Sequence, residues 1–279
     1  MKQLSKIDIR INNAVLWHKE TLGLKIDIEN PVIFSEKIVW LYKNFFTKDG
    51  NKKSDWDRIY DKITFKDYIN EHFGENHVAK LYGIYKTPFE IDFEKLPEIF
   101  ILKSTRGSWG KEVETVNKLN SNRSSIREQA AEWVNKPGSA KIMAEQYIPG
   151  ANTDYKFYMS AGKCLFISAE TKSDIKNSRD CKVSVLFDTS WKQQPFQFFG
   201  EPNNNTVTIQ PPKGLNKMLS LAAKASLSFP FLRVDFFESD NGDIYFSEFC
   251  GFPHEGKIFF APEYWNKAIG ELIDLSAQR

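Results

Sequence analysis

Apolar and polar positions alternate most regularly between Phe231 and Phe252, where two aromatic-rich runs lie on either side of Asn241-Gly242. A two-residue period predicts strands, and Asn-Gly supplies the positive-φ pair of a tight hairpin turn. Antiparallel pairing then brings Asp235 and Glu248 together. Arg233 shares the face of Asp235 roughly 7 Å away, while Val234 and Phe236 point to the other side.

The periodicity upstream is less uniform. A helix is predicted from Ser35, as its cap, to Tyr42, and short helices over 65–73 and 89–96. Strands are predicted over 78–85, over 98–103 and from Lys141 to Ile148, the last stopped by Pro149-Gly150, which suits a hinge between two lobes. A helix over 123–134 separates the last two strands. Asp154–Met159 and Cys164–Ser168 form a second hairpin across Ala161-Gly162, and Leu215–Leu227 is an amphipathic helix. Residues 1–30 read as irregular or short elements, and 48–55, 170–182 and 201–213 as loops.

A chain of 279 residues with 41% hydrophobic and 27% charged content suits a folded globular protein of one to three domains. The 23 Phe, 10 Tyr and 7 Trp mean chiefly core packing. A net charge of +2 gives no case for nucleic acid or an acidic membrane, so anion binding must be local. No stretch approaches the roughly 18 apolar residues of a membrane span, and the N-terminus has no signal core, so a cytoplasmic protein is expected. Cys164, Cys181 and Cys250 lack zinc-ligand spacing, and His18, His72, His77 and His254 are too scattered for a metal motif.

Two carboxylates and a guanidinium converging on an apolar hairpin suit a divalent cation beside an anionic substrate. A surface ion pair on an ordinary hairpin gives the same pattern. The strand ending at Lys103 feeds Ser104-Thr105-Arg106-Gly107-Ser108-Trp109-Gly110, a glycine-bearing loop able to approach phosphate oxygens, although its spacing is not that of P-loop nucleotidases. A plain turn remains the alternative.

Taken in order, Phe34–Leu41, Asp61-Lys62, Phe100–Lys103, Ala144–Tyr147, Asp154–Phe157 and Phe229–Asp235 resemble the TupA-like branch of the ATP-grasp superfamily, named for teichuronopeptide synthesis. The resemblance covers about residues 30–275. It implies an α+β fold in which two lobes with antiparallel sheets clamp ATP: an N-terminal helical segment over 1–60, a first lobe over 61–148 with the phosphate-covering loop, and a second lobe over 149–279 with the metal and substrate site.

The same resemblance implies roles. Lys103 would meet the α-phosphate, with Ser104, Arg106, Gly107, Ser108 and Gly110 over the β- and γ-phosphates. Glu145, Gln146, Tyr147 and Ile148 would meet the adenine edge, Asp154 the ribose, and Lys156 a phosphate. Asp235 and Glu248 would hold magnesium, and Arg233 would steady an acyl phosphate, with Lys103 and Arg106 assisting catalysis. Many ATP-grasp enzymes have Asn where Cys250 stands, which puts a second magnesium in doubt because a thiol suits that ion poorly.

The implied activity is an ATP-dependent carboxylate-amine ligase forming an amide or peptide bond through an acyl phosphate. Its expected partners are an amine and a small or sugar-linked carboxylate, such as a uronic acid of cell-surface polysaccharide. His254, Lys172 and Arg179 flank the site as candidates for an acidic substrate. A glycosyltransferase or nucleotide-sugar binding protein of capsule synthesis, or a non-catalytic scaffold, are the alternatives.

Overall fold

The computed structural model describes residues 5–47, 58–59, 61–105, 112–135, 140–172, 182–201 and 207–276. It is a mixed α+β structure whose chain divides into two compact units, one of residues 58–150 and one joining residues 1–57 to 151–279. The boundary at Gly150 coincides with the Pro-Gly stop. The N-terminal segment, expected to stand apart, belongs to the same unit as the C-terminal part of the chain.

In the unit of residues 58–150, β1 (Leu81–Tyr85), β2 (Ile99–Ser104), β3 (Val113–Asn117) and β4 (Ile142–Gln146) form an antiparallel sheet in the order β1-β4-β2-β3. Phe100, Leu102, Ile142 and Ala144 turn into a core completed by Ile126, Ala130 and Trp133, spaced at helical intervals along Arg123–Val134. Alternation leaves Lys103 and Glu145 on the opposite side of the sheet. Lys62–Phe73 is a helix capped by Asp61, whose side chain accepts from the Ile63 and Thr64 amides. The helix expected over 89–96 is two separate 3₁₀ turns, Pro88–Glu90 and Phe93–Lys95, because Asp92 caps a fresh turn there. Edge strand β3 had not been foreseen.

In the other unit, β5 (Thr153–Ser160), β6 (Lys163–Lys172), β7 (Lys182–Phe187), β9 (Leu232–Glu238) and β10 (Ile244–Cys250) build a five-stranded antiparallel sheet in the order β10-β9-β5-β6-β7. A short pair, β8 (Gln197–Phe198) with β11 (Phe260–Ala261), lies beside it in the chain order. Strands β6 and β7 extend into the segment expected to be a loop. The helix Leu215–Ser226 packs along β5, β6 and β9 through its apolar stripe, Met218, Ala222 and Ala225. Most aromatic residues are indeed core: Phe34 lies 5.3 to 6.5 Å from the rings of Tyr158, Phe166, Phe231 and Phe260.

The first 30 residues contain one long helix, α1 (Lys6–Leu22), where their own pattern gave only irregular or short elements. Ser5 and Asp8 form a reciprocal capping box, Gly23 ends the helix at φ 67°, and Ile11, Ala14 and His18 are buried at helical spacing. The next helix, α2 (Phe34–Leu41), starts ahead of the expected Ser35 cap. The Glu36 carboxylate does the capping, accepting from the amides of Val32 at 2.8 Å and Ile33 at 3.0 Å, while Ser35 is buried inside the helix. A π-helical turn over Tyr42–Phe46 follows and sets Phe46 against Gly251, where a Cβ would come within 2.6 Å of the ring.

Candidate active site

The hairpin predicted around Asn241-Gly242 forms, with a different turn. Only Gly242 has positive φ, 83°, and its amide bonds to the Ser239 carbonyl, so the loop is three residues long rather than two. A bulge between Phe246 and Glu248 restores the register, and Glu248 pairs directly with Asp235. The two carboxylates meet as the sequence requires.

Arg233 Nε donates to Asp235 Oδ1 at 2.8 Å, and Nη2 donates to Oδ2 at 2.7 Å. The pair is buried, whereas the Glu248 side chain is 53% exposed with Oε2 3.8 Å from Arg233 Nη2. Lys156 stands opposite Asp235 on β5 and forms an ion pair with Glu170 of β6. A row of alternating charge thus crosses four strands: Glu248, Arg233 with Asp235, Lys156, Glu170. Burial pushes the Asp235 carboxyl upward, and Arg233 and Lys156 oppose that shift. Asp154 lies opposite Glu170 in the ladder.

Cys250 is opposite Arg233. Burial raises its thiol to about 11, and a thiol suits a hard cation poorly. Among the described residues no group of three or more His, Cys, Asp and Glu side chains could hold a metal. Asp235 and Glu248 alone supply two oxygen donors, which fits magnesium, an ion that usually completes its shell with water and phosphate oxygens.

Tyr158 follows Lys156 on the same face, and its hydroxyl lies 3.3 Å from His254 Nε2. His254 is partly buried against the Phe198 ring, 5.2 Å between centroids. The sequence had named it only as a flanking residue. Lys172 ends β6, and Arg179 and Cys181 lie outside the described residues.

The unit of residues 58–150 holds a second charged cluster. Glu145 is buried and accepts an ion pair from Lys103 on neighbouring β2 and another from Lys66 Nζ at 2.9 Å. Burial alone would raise the Glu145 carboxyl, but the two ammonium groups outweigh it and hold it below the ordinary range. Lys66 also donates to the Ala79 carbonyl at 2.6 Å. Sequence reasoning missed Lys66, because a lysine among Phe65, Asp67 and Tyr68 looks like a solvated helix position. The cluster carries one cation in excess. Ser104 is buried at the end of β2; Arg106, Gly107, Ser108, Trp109 and Gly110 lie outside the described residues. Gln146 exchanges backbone and side-chain hydrogen bonds with Lys80, Tyr147 is 37% exposed and Ile148 is buried.

No curated protein matches the sequence. The solved structures that resemble it include D-alanine–D-alanine ligase from Bacillus anthracis, 17% identical over 97% of this chain and 93% of that one, with a TM-score of 0.56. The same enzyme complexed with ATP gives 14% identity over the same shares and 0.55. L-amino acid ligase from Bacillus licheniformis is 14% identical over 72% of this chain, with a TM-score of 0.46. This chain spans 42% of that ligase, and 47% of an N5-carboxyaminoimidazole ribonucleotide synthetase that it also matches. The family described as TupA-like ATPgrasp matches residues 36–274, which include the hairpin, the charged row and the Lys103 strand. With the ATP-grasp fold and most of its length accounted for by that match, the chain belongs to the TupA-like ATP-grasp family.

Proposed function

We propose that the protein is an ATP-dependent ligase that joins a carboxylate to an amine through an acyl phosphate. The observation that carries this reading is the pairing of Asp235 with Glu248 beside a buried, bidentate Arg233. Asp235 and Glu248 would hold magnesium, which supplies charge neutralisation at the transferring phosphoryl group. Arg233 has hydrogens left after gripping Asp235 and would steady the acyl phosphate.

Lys103, Ser104, Arg106, Gly107, Ser108 and Gly110 are assigned to the triphosphate. The excess cation of the Lys66–Glu145–Lys103 cluster supports an anion there. Glu145 is assigned to aiming the two ammonium groups, which leaves Gln146, Tyr147 and Ile148 as the adenine contacts. Asp154 would take the ribose. Lys156 would exchange Glu170 for a phosphate. No protein nucleophile is required, since positioning and charge stabilisation carry phosphoryl transfer.

For the substrate we favour a uronic acid or other acidic unit of cell-surface polysaccharide, joined to an amino acid or small amine. The experiment is a screen of amines against uronic acids, acidic amino acids and sugar nucleotides with ATP and magnesium, reading ADP and product mass. Amide product with matching ADP supports the ligase. Sugar transfer without ADP would replace it with a glycosyltransferase, and ATP binding without turnover on any pair would replace it with a scaffold. No helix among the described residues is long and apolar enough to cross a membrane.

A further inference from the structure

After β7 the chain turns back on itself. Asp188 Oδ1 accepts from the amides of Ser190 at 2.8 Å and Lys192 at 2.9 Å, Trp191 takes a positive φ of 62°, and the Gln194 amide then donates to the Leu186 carbonyl. A side chain as bulky as Trp sits on left-handed backbone only where its surroundings enforce it. Here the Trp191 ring stacks on Phe187 at 4.3 Å between centroids, and its Nε1 donates to the Ile209 carbonyl at 2.9 Å. The turn holds the segment 193–197 beside β7 as a fixed wall.

Between that wall, β7 and the Ala261-Pro262 corner after β11 lies a cleft of about 510 Å³, within the range of small-ligand sites, about 300–1,000 Å³. Ser184, Gln193, Gln194 and Gln197 bring hydroxyl and amide groups to it, and Phe196 and Pro262 bring apolar surface. Gln194 Nε2 donates to the Lys192 carbonyl and Gln197 Nε2 to the Glu201 carbonyl, which orients both amides while using one hydrogen-bonding position of each. Phe196 is backed by the Trp265 ring at 4.7 Å. The described lining includes no charged side chain.

The sheet connects this cleft to the charged row. Ser184 pairs with Glu170 across β6 and β7, so it shares the face that carries Lys156, Asp235 and Glu248. Strand β7 is the third from β9, and at about 4.8 Å per strand the cleft starts roughly 14 Å across the sheet from Asp235. Charge for the reacting groups thus lies at one end of the row and an uncharged, hydrogen-bonding cleft at the other. Amides set against phenyl and prolyl surface suit a sugar ring, which presents hydroxyls at its rim and C–H groups on its faces.

We propose that the cleft binds an uncharged glycosyl ring next to the unit that reacts, so that the substrate is a sugar chain rather than a free acid. The distance from Asp235 exceeds one ring, which is why a neighbouring unit occupies the cleft. The proposal rests on the ligase reading above for the reaction, and on the cleft alone for the binding.

Two measurements on the intact protein test it. Saturation-transfer NMR without nucleotide uses cellobiose, lactose and N,N′-diacetylchitobiose as neutral probes, with N-acetyl-trialanine amide as a peptide control. Wild type should bind at least one of the sugars, and Gln193→Ala with Gln194→Leu should weaken it about tenfold, the worth of one or two hydrogen bonds. Gln193 is exposed and Gln194 half-buried, so this double variant should keep the wild-type urea midpoint. Ser184→Ala, on the opposite wall, should weaken the same sugar.

The second measurement compares D-glucuronate with cellobiouronate, in which the same acid is linked to glucose, using ATP, magnesium and hydroxylamine to trap acyl phosphate as hydroxamate. The longer acid should show a KM about tenfold lower at similar kcat, and the double variant should erase that difference, as expected for binding remote from the chemistry. Binding of no sugar in the set, binding of the peptide in their place, binding that the variants leave unchanged, or equal KM for the two acids would overturn the proposal. Hydroxamate from neither acid would instead sink the ligase reading, and the NMR measurement would still decide the cleft.

Discussion

Arg233 and Asp235, two residues apart on one strand, are locked face to face by two parallel hydrogen bonds of 2.8 and 2.7 Å, both side chains buried. The geometry spends one lone pair of each carboxylate oxygen on the guanidinium and leaves the others for a cation. It also makes Asp235 part of the fold.

Asp235→Ala should therefore do more than remove a metal ligand. It strands the Arg233 charge in the interior and should cost about 3–5 kcal/mol in urea unfolding. Replacing both members by apolar residues should restore part of that loss. A single variant as stable as wild type would show that the pair carries no such weight.

Glu248 offers the cleaner probe, since its side chain is 53% exposed and it only approaches Arg233 at 3.8 Å. Glu248→Gln should unfold within about 0.5 kcal/mol of wild type, as exposed substitutions usually do. Calorimetric titration should nevertheless show weakened binding of magnesium with ATP. Unchanged magnesium-dependent affinity would remove Glu248 from the metal site.

The sequence disclosed what depends on near neighbours. Alternation around Asn241-Gly242 predicted the Asp235–Glu248 pairing. It disclosed less where distant chain decides. Lys66 becomes a site candidate only because Glu145 folds beside it, 2.9 Å away. The α1 helix was signalled by Ser5, Asp8 and Gly23, but its exposed Ile9 and Leu16 blur the apolar stripe. The placement of His254 could not be read at all, because groups packed against its segment, His18 of α1 near Ile258 and Val39 of α2 near Gly256, come from the other end of the chain.

The Lys66–Glu145–Lys103 cluster predicts unequal effects for its two lysines. Lys66 is buried, so Lys66→Met should cost on the order of 3 kcal/mol by leaving Glu145 half-compensated. The Lys103 side chain is 20% exposed, and Lys103→Met should cost less stability but more ATP affinity. Thermal melts with and without ATP separate the two, and a coupling energy near zero in the double variant would disconnect them.

Acid should act against the fold through two imidazoles, His18, which is buried, and His254, which is partly buried. Burial lowers both His18 and His254 below the ordinary 6.5, His254 to about 4, so the unfolded chain binds protons more tightly. Their contribution is complete above about pH 6.5 and is lost as pH falls toward 4, with His254 alone accounting for up to about 3 kcal/mol. Urea midpoints measured from pH 7.5 to 4.5 should fall less steeply in His254→Asn than in wild type, against a common background in which the raised Asp235 carboxyl acts with the opposite sign. Parallel curves would contradict the assignment.

The central claim is that a substrate carboxylate attacks the terminal phosphate of ATP. Its most direct test uses a carboxylate labelled with ¹⁸O in both oxygens, together with ATP, magnesium and the amine identified by the screen. An acyl phosphate requires one labelled oxygen to appear in each inorganic phosphate released, read by mass spectrometry. Unlabelled phosphate accompanying amide product would contradict the account.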